Sequence, residues 1–136
     1  ALPFLGAYAM SKFALEGMAD ALRIELAPFG IDVVLIEPGS IATPIWTKPQ
    51  QALDDVPAEA VALYGARIAR FRALAAERSA AGVPARDVAR VVERALTADR
   101  PRTRYVVGPD ARRRARVQLL PDRLRDRVLT RFLFGR

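Results

Sequence analysis

Residues 8 to 39 read YAMSKFALEGMADALRIELAPFGIDVVLIEPG, and this stretch decides the fold. Tyr8 to Leu26 has no proline, and its single glycine, Gly17, costs a helix only about 1 kcal/mol. Glu16, Asp20 and Arg23 fall at i, i+4 and i+7, which makes one polar stripe. Met10, Phe13, Leu15, Met18, Leu22, Ile24 and Leu26 occupy the rest of the surface. The spacing predicts a helix over 8–28, ended by Pro28 and Gly30. Its apolar surface is so wide that more than one neighbour must cover it. Asp32 to Glu37 then reads as a strand. Its continuously apolar, largely β-branched centre suits a strand buried on both faces of a parallel sheet. Pro38-Gly39 breaks it. A helix followed at once by such a strand predicts a layered α/β fold.

The remainder extends this pattern. Residues 40–56 read as a loop containing Pro44, Trp46 and Pro49, and a loop of that length in a compact domain is functional or disordered. Val61, Tyr64, Ile68, Phe71 and Leu74 mark a helix over 57–79. Gly82-Val83-Pro84 interrupts it. A further helix over 85–98 buries Val88, Val91, Val92, Ala95 and Leu96. Arg104 to Gly108 reads as a short strand. Residues 110–136 form a basic amphipathic tail, with Leu120, Leu124, Val128, Leu129, Phe132 and Leu133 on a stripe and Arg123, Arg127 and Arg131 spaced four apart. Such a helix can lie on a membrane. A terminal helix docking on its own domain or on a partner subunit is the reading preferred here. Two strands cannot close a core alone, so the sheet is expected to be partial.

Composition narrows the chemistry. The chain has 136 residues, 51% of them apolar, enough for one domain with a real core. It has no cysteine and no histidine. That removes disulfides, thiolate and imidazole metal sites, and histidine acid–base work. No metal site is expected. The absence of cysteine fits a reducing compartment. The opening Ala1-Leu2-Pro3-Phe4-Leu5 lacks the basic flank and length of a signal peptide. No apolar run reaches the roughly 20 residues that cross a bilayer. A soluble, cytoplasmic protein, or part of one, is expected. The net charge is +7, carried almost wholly by arginine, with Lys12 and Lys48 as the lysines. No nucleic-acid reader motif accompanies that charge, so no nucleic-acid partner is expected.

The chemistry-bearing motif is Tyr8-Ala9-Met10-Ser11-Lys12. On a helix, positions i and i+4 stack on one face, which sets a phenol beside an ammonium. A free tyrosine titrates at about 10, and a neighbouring positive charge favours the phenolate. A tyrosine so placed can pass a proton to or from a substrate oxygen. Taken alone, tyrosine and lysine four apart also describe a surface pair, and Pro38-Gly39-Ser40 also describes an ordinary turn.

The longer pattern carries more. Tyr8-x-x-x-Lys12, Ala14-Leu15, Gly17, Leu22, Glu25-Leu26, Gly30-Ile31, Val33, Ile36, Pro38-Gly39, Ile41 and Thr43 together resemble the short-chain dehydrogenase/reductase family, from its active-site helix to its P-G-x-I-x-T loop. The resemblance is dense over residues 6–46 and looser beyond, although Arg104 to Gly108 is similar to that family's last strand. It implies that residues 1–136 are the C-terminal part of a single NAD(P)-binding, Rossmann-like domain, a doubly wound parallel sheet present only in its C-terminal half. It implies Tyr8 as proton donor or acceptor, with Lys12 easing that transfer and binding the nicotinamide ribose. Pro38 and Gly39 would turn the chain beneath the nicotinamide. The Ile41 backbone would meet the carboxamide, and the Thr43 hydroxyl would meet the cofactor's amide or phosphate side. Pro44, Ile45 and Trp46 would belong to the substrate loop and wall a lipophilic pocket.

Ser11 is not the serine this family uses. That residue and the glycine-rich phosphate turn would precede Ala1, along with the residues that choose NAD or NADP. The family resemblance therefore implies an alcohol–carbonyl oxidoreductase using NAD or NADP, present here as a fragment inactive alone. The family commonly packs the active-site helix on its symmetry mate, so a homo-oligomer through helix 8–28 is expected. The rival expectation is a non-catalytic remnant that binds a partner subunit or a membrane.

Overall fold

A computed structural model describes residues 1–44 and 57–135. In chain order they form α1 (Gly6–Leu26), a 3₁₀ turn (Ala27–Phe29), β1 (Leu35–Pro38), α2 (Ala58–Ala80), α3 (Ala85–Thr97), β2 (Arg104–Val107), α4 (Pro109–Gln118) and α5 (Asp122–Phe134). The strands pair in parallel, with Leu35 opposite Arg104 and Pro38 opposite Val107. Parallel neighbours need a long crossover, and α2 and α3 lie within it. The result is the expected α/β class, a mostly helical partial Rossmann-like arrangement.

The ends of the elements follow local chemistry. α1 starts at Gly6, just after Phe4, whose φ of 64° turns the chain sharply. It gives way at Leu26 to the 3₁₀ turn that contains Pro28. Gly30 closes that turn at φ 69°, its N–H donating to the Ala27 carbonyl at 3.0 Å. A left-handed residue is cheapest as glycine. The strand expected over 32–37 pairs only from Leu35, because it is hydrogen-bonded only where β2 runs beside it. The basic tail divides in two, since Pro121 holds its predecessor out of helical geometry and starts α5 afresh.

The chain separates into two compact units. The first, Ala1–Pro38 with Arg86–Val107, holds α1, both strands and most of α3. Ala19 and Val107 are its buried apolar residues. On α1 only Ala19 is buried, whereas Met10 is 72% and Ile24 76% exposed. The apolar breadth read from the sequence is therefore surface in this chain. The second unit, Gly39–Ala85 with Gly108–Arg136, holds α2, α4 and α5. Among the described residues, its buried apolar side chains are Phe71 and Leu133. α5 packs on α2. Arg70 Nε donates to the Leu133 carbonyl at 2.8 Å, and the Arg78 guanidinium lies 4.4 Å from the Phe132 ring centroid. Arginine suits this seam because its stem covers apolar surface while its planar head stacks on a ring. No described helix is long and apolar enough to cross a membrane.

Candidate active site

Tyr8 and Lys12 stand one helical turn apart near the start of α1. The Lys12 Nζ lies 5.3 Å from the centroid of the Tyr8 ring. The i, i+4 spacing thus brings the phenol and the ammonium together as the sequence implies. Both side chains are exposed, Tyr8 at 59%. Among the described residues, Lys12 has no carboxylate partner and the Tyr8 hydroxyl has no protein hydrogen-bond partner. Ser11 differs. Its hydroxyl donates to the Tyr8 carbonyl at 2.8 Å and is spent within the helix. An ammonium beside a phenol, neither consumed by the protein, can move a proton and bind hydroxyl groups.

Pro38 ends β1 opposite Val107. The segment that follows lies in the second unit and is tied down on several sides. The Ser40 N–H and hydroxyl both donate to Asp110 Oδ2, at 2.7 and 2.8 Å. Asp110 sits in the first turn of α4, after Gly108 at φ 98° and Pro109. A Cβ on Gly39 would overlap the Asp110 carboxylate. Burial pushes the Asp110 carboxyl up. The Ser40 N–H and hydroxyl, the Arg114 guanidinium and the Ala111 amide outweigh that, and they hold it below its ordinary value of 3.8.

Ile41 forms a parallel bridge with Val83. Val83 N–H donates to the Ser40 carbonyl at 2.9 Å, and Ala42 N–H donates to the Val83 carbonyl at 3.0 Å. Gly82 makes that approach possible, since a Cβ there would fall 2.7 Å from the Ile41 carbonyl carbon and the Ser40 oxygen. The buried Ser79 hydroxyl reaches the Ile41 and Thr43 carbonyls at 3.2 and 3.0 Å. Thr43 N–H donates back to the Ile41 carbonyl at 2.8 Å. Thr43 and Pro44 are exposed. Ile45 and Trp46 lie outside the described residues.

Residues 1–54 match the short chain dehydrogenase family. The chain is 38% identical over 133 residues to an NADPH-dependent 3-dehydrocapnine reductase of Ornithobacterium rhinotracheale, covering 93% of this chain and 44% of that protein. It is 38% identical over 135 residues to human retinol dehydrogenase 5, covering 92% of this chain and 42% of the other. It is also 53% identical over 57 residues to the Bacillus subtilis (strain 168) oxidoreductase YusZ, covering 42% of this chain and 20% of the other.

The chain belongs to the short-chain dehydrogenase/reductase family. It spans less than half the length of these curated relatives. Within this short-chain dehydrogenase/reductase chain, the matched segment holds Tyr8, Lys12 and the residues from Pro38 to Thr43. The groups that hold the 39–43 segment in place lie beyond it: Ser79, Gly82, Val83 and Asp110. The sequence marks Gly82 and Val83 only as a break between helices, and it does not single out Ser79 or Asp110. Two signals were present: a glycine between two helices, and a Pro-Asp pair opening a helix directly after a strand. Among the described residues, no cluster of acidic side chains could hold a metal ion.

Proposed function

We propose that this chain forms the C-terminal part of an NAD(P)-dependent oxidoreductase that interconverts an alcohol and a carbonyl. The observation that carries the reading is the Tyr8–Lys12 pair, exposed on one face of α1 with Nζ 5.3 Å from the ring centroid. The pair fits a nicotinamide cofactor, because an ammonium without a carboxylate partner among the described residues is available for ribose hydroxyls. When bound, the cofactor supplies or accepts the hydride.

In reduction, Tyr8 gives its phenolic proton to the carbonyl oxygen. In oxidation it takes the proton from the alcohol. Lys12 offsets the negative charge that develops on the Tyr8 oxygen, an electrostatic term that grows as water is excluded. Lys12 also holds the ribose. Pro38, Gly39, Ile41 and Thr43 form the backbone ledge for the nicotinamide end, in line with the rule that α/β sheets bind ligands beyond the carboxyl ends of their strands. Pro44, Ile45 and Trp46 are the segment that the family resemblance assigns to the substrate. A lipophilic substrate is favoured by the apolar composition of that loop and by retinol dehydrogenases among the relatives. NADPH is favoured over NADH by the 3-dehydrocapnine reductase alone. The isolated 136 residues are inactive on this reading, since positioning the two reactants supplies about 7–11 kcal/mol of barrier lowering and needs the whole site.

The test uses the whole enzyme. Tyr8→Phe keeps the ring and loses the transferable proton, so turnover falls by at least about a hundredfold while NAD(P)H binding persists. Lys12→Ala weakens both. A wild-type rate for Tyr8→Phe at saturating substrate would remove the acid–base assignment.

A further inference from the structure

The Asp110 carboxylate belongs to none of the motifs that mark the family, yet among the described residues of the second unit it is heavily engaged. One oxygen accepts both the Ser40 N–H and the Ser40 hydroxyl, at 2.7 and 2.8 Å. Arg114 approaches the same oxygen at 3.3 Å. The carboxylate occupies the space that a side chain on Gly39 would need, and it also lies close to the Cβ position of Gly108. Two glycines, one after each strand, thus leave room for one carboxylate. The anion also sits in the first turn of α4, where unpaired helix N–H groups favour negative charge. It is therefore held in place by its own helix as well as by Ser40.

From this geometry we infer that Asp110 is a positioning residue for the cofactor ledge: it fixes the backbone of Gly39 and Ser40, and through them the Ile41 peptide, for the nicotinamide end of NAD(P). The inference rests on the reading of residues 38–43 given above. Val83 and Ser79 hold the far side of the same segment, so without Asp110 the ledge is anchored at Ile41 and free at Gly39. Charge makes the tie stiff, since hydrogen bonds to an ionised acceptor are roughly twice as strong as neutral ones. Asp110 touches neither substrate nor hydride, so its effect is confined to how well the nicotinamide end is held.

ADP-ribose lacks only the nicotinamide of NADH, and 2′-phospho-ADP-ribose only that of NADPH, so each, hereafter ADP-ribose, separates this role from a general loss of structure. In the whole enzyme, Asp110→Ala raises the Kd for NADH or NADPH by about tenfold and leaves that of ADP-ribose within about twofold. Ser40→Ala, which keeps the backbone bond, raises the NAD(P)H Kd by about threefold, and adding it to Asp110→Ala gives little further loss. Asp110→Asn falls between, because its amide nitrogen cannot accept the Ala111 N–H. If Asp110→Ala does not fold, Ser40→Ala and Asp110→Asn still decide. Equal weakening of NAD(P)H and ADP-ribose, or no weakening of either, would overturn the inference while leaving the oxidoreductase reading intact. A wild-type enzyme that binds neither NADH nor NADPH would overturn that reading, and this inference with it.

Discussion

Arg104 on β2 and Glu37 on β1 form a cross-strand ion pair, with Arg104 Nη1 2.9 Å from Glu37 Oε1. The same guanidinium reaches Asp20 of α1 at 2.9 Å and bonds Glu16 as well. One side chain therefore ties α1 to both strands of its unit. The Glu16 and Glu37 hydrogen bonds push the Arg104 guanidinium further above its already high range. On Asp20, the bond from Arg23 comes first and Arg104 adds to it. Together they lower the carboxyl from its ordinary value.

Arg104→Met should loosen this tie. The side chains are about a third exposed or more, so solvent screening keeps the loss small, at about 1 kcal/mol. Arg104→Lys should recover only part of it, because an ammonium cannot fork to separate carboxylates in a fixed plane. Urea unfolding of the whole enzyme at low and high salt checks this. The difference between wild type and Arg104→Met should shrink as salt rises.

Gly82→Ala should destabilise by about 1–3 kcal/mol, since the new methyl meets backbone atoms at 2.7 Å and neither chain can yield without breaking the Ile41–Val83 bridge. A control at Gly6, where an added Cβ meets nothing, should move the midpoint little. Thermal unfolding of the two variants side by side gives the comparison. A similar midpoint for both would mean that the bridge is not held closely.

Asp110 links the fold to pH. Its folded carboxyl titrates below the ordinary 3.8 despite burial. A depressed carboxyl adds stability that is fully present above the unfolded value and is lost as pH falls through the folded one. The stability gap between wild type and Asp110→Asn should thus be constant above about pH 5 and close only below the ordinary aspartate range. Denaturation midpoints across the acid range measure it. A gap that closed between pH 5 and 7 would contradict the assigned direction.

α1 carries an exposed apolar face. Phe13 is 59% and Met18 53% exposed, and nothing lies within 4 Å of a Cβ placed on Gly17. We expect a two-fold oligomer of the whole enzyme to bury this face. Gly17→Glu would place a charge in that seam and should split the oligomer. Light scattering reads the outcome, and a clean monomer for the unmutated enzyme would rule the contact out.

The amino-acid sequence by itself determined the local elements and the proximity of Tyr8 to Lys12. Both follow from short-range physics: the i, i+4 stacking of a helix, the β-branched run before Pro38, and the breaking power of proline and glycine. The wide apolar face of α1 was also legible, because it depends only on which residues occupy one helix. Tertiary structure alone decided what holds the 39–43 segment. Ser79 reaches it across 36 and 38 residues, and Asp110 reaches Ser40 across 70. Periodicity carries no signal over such separations. Asp110 in the sequence is merely an acidic residue opening a helix, and Gly82 merely a break between two others. Only the tertiary structure brings Asp110 to Ser40 and into the space that a side chain on Gly39 would need.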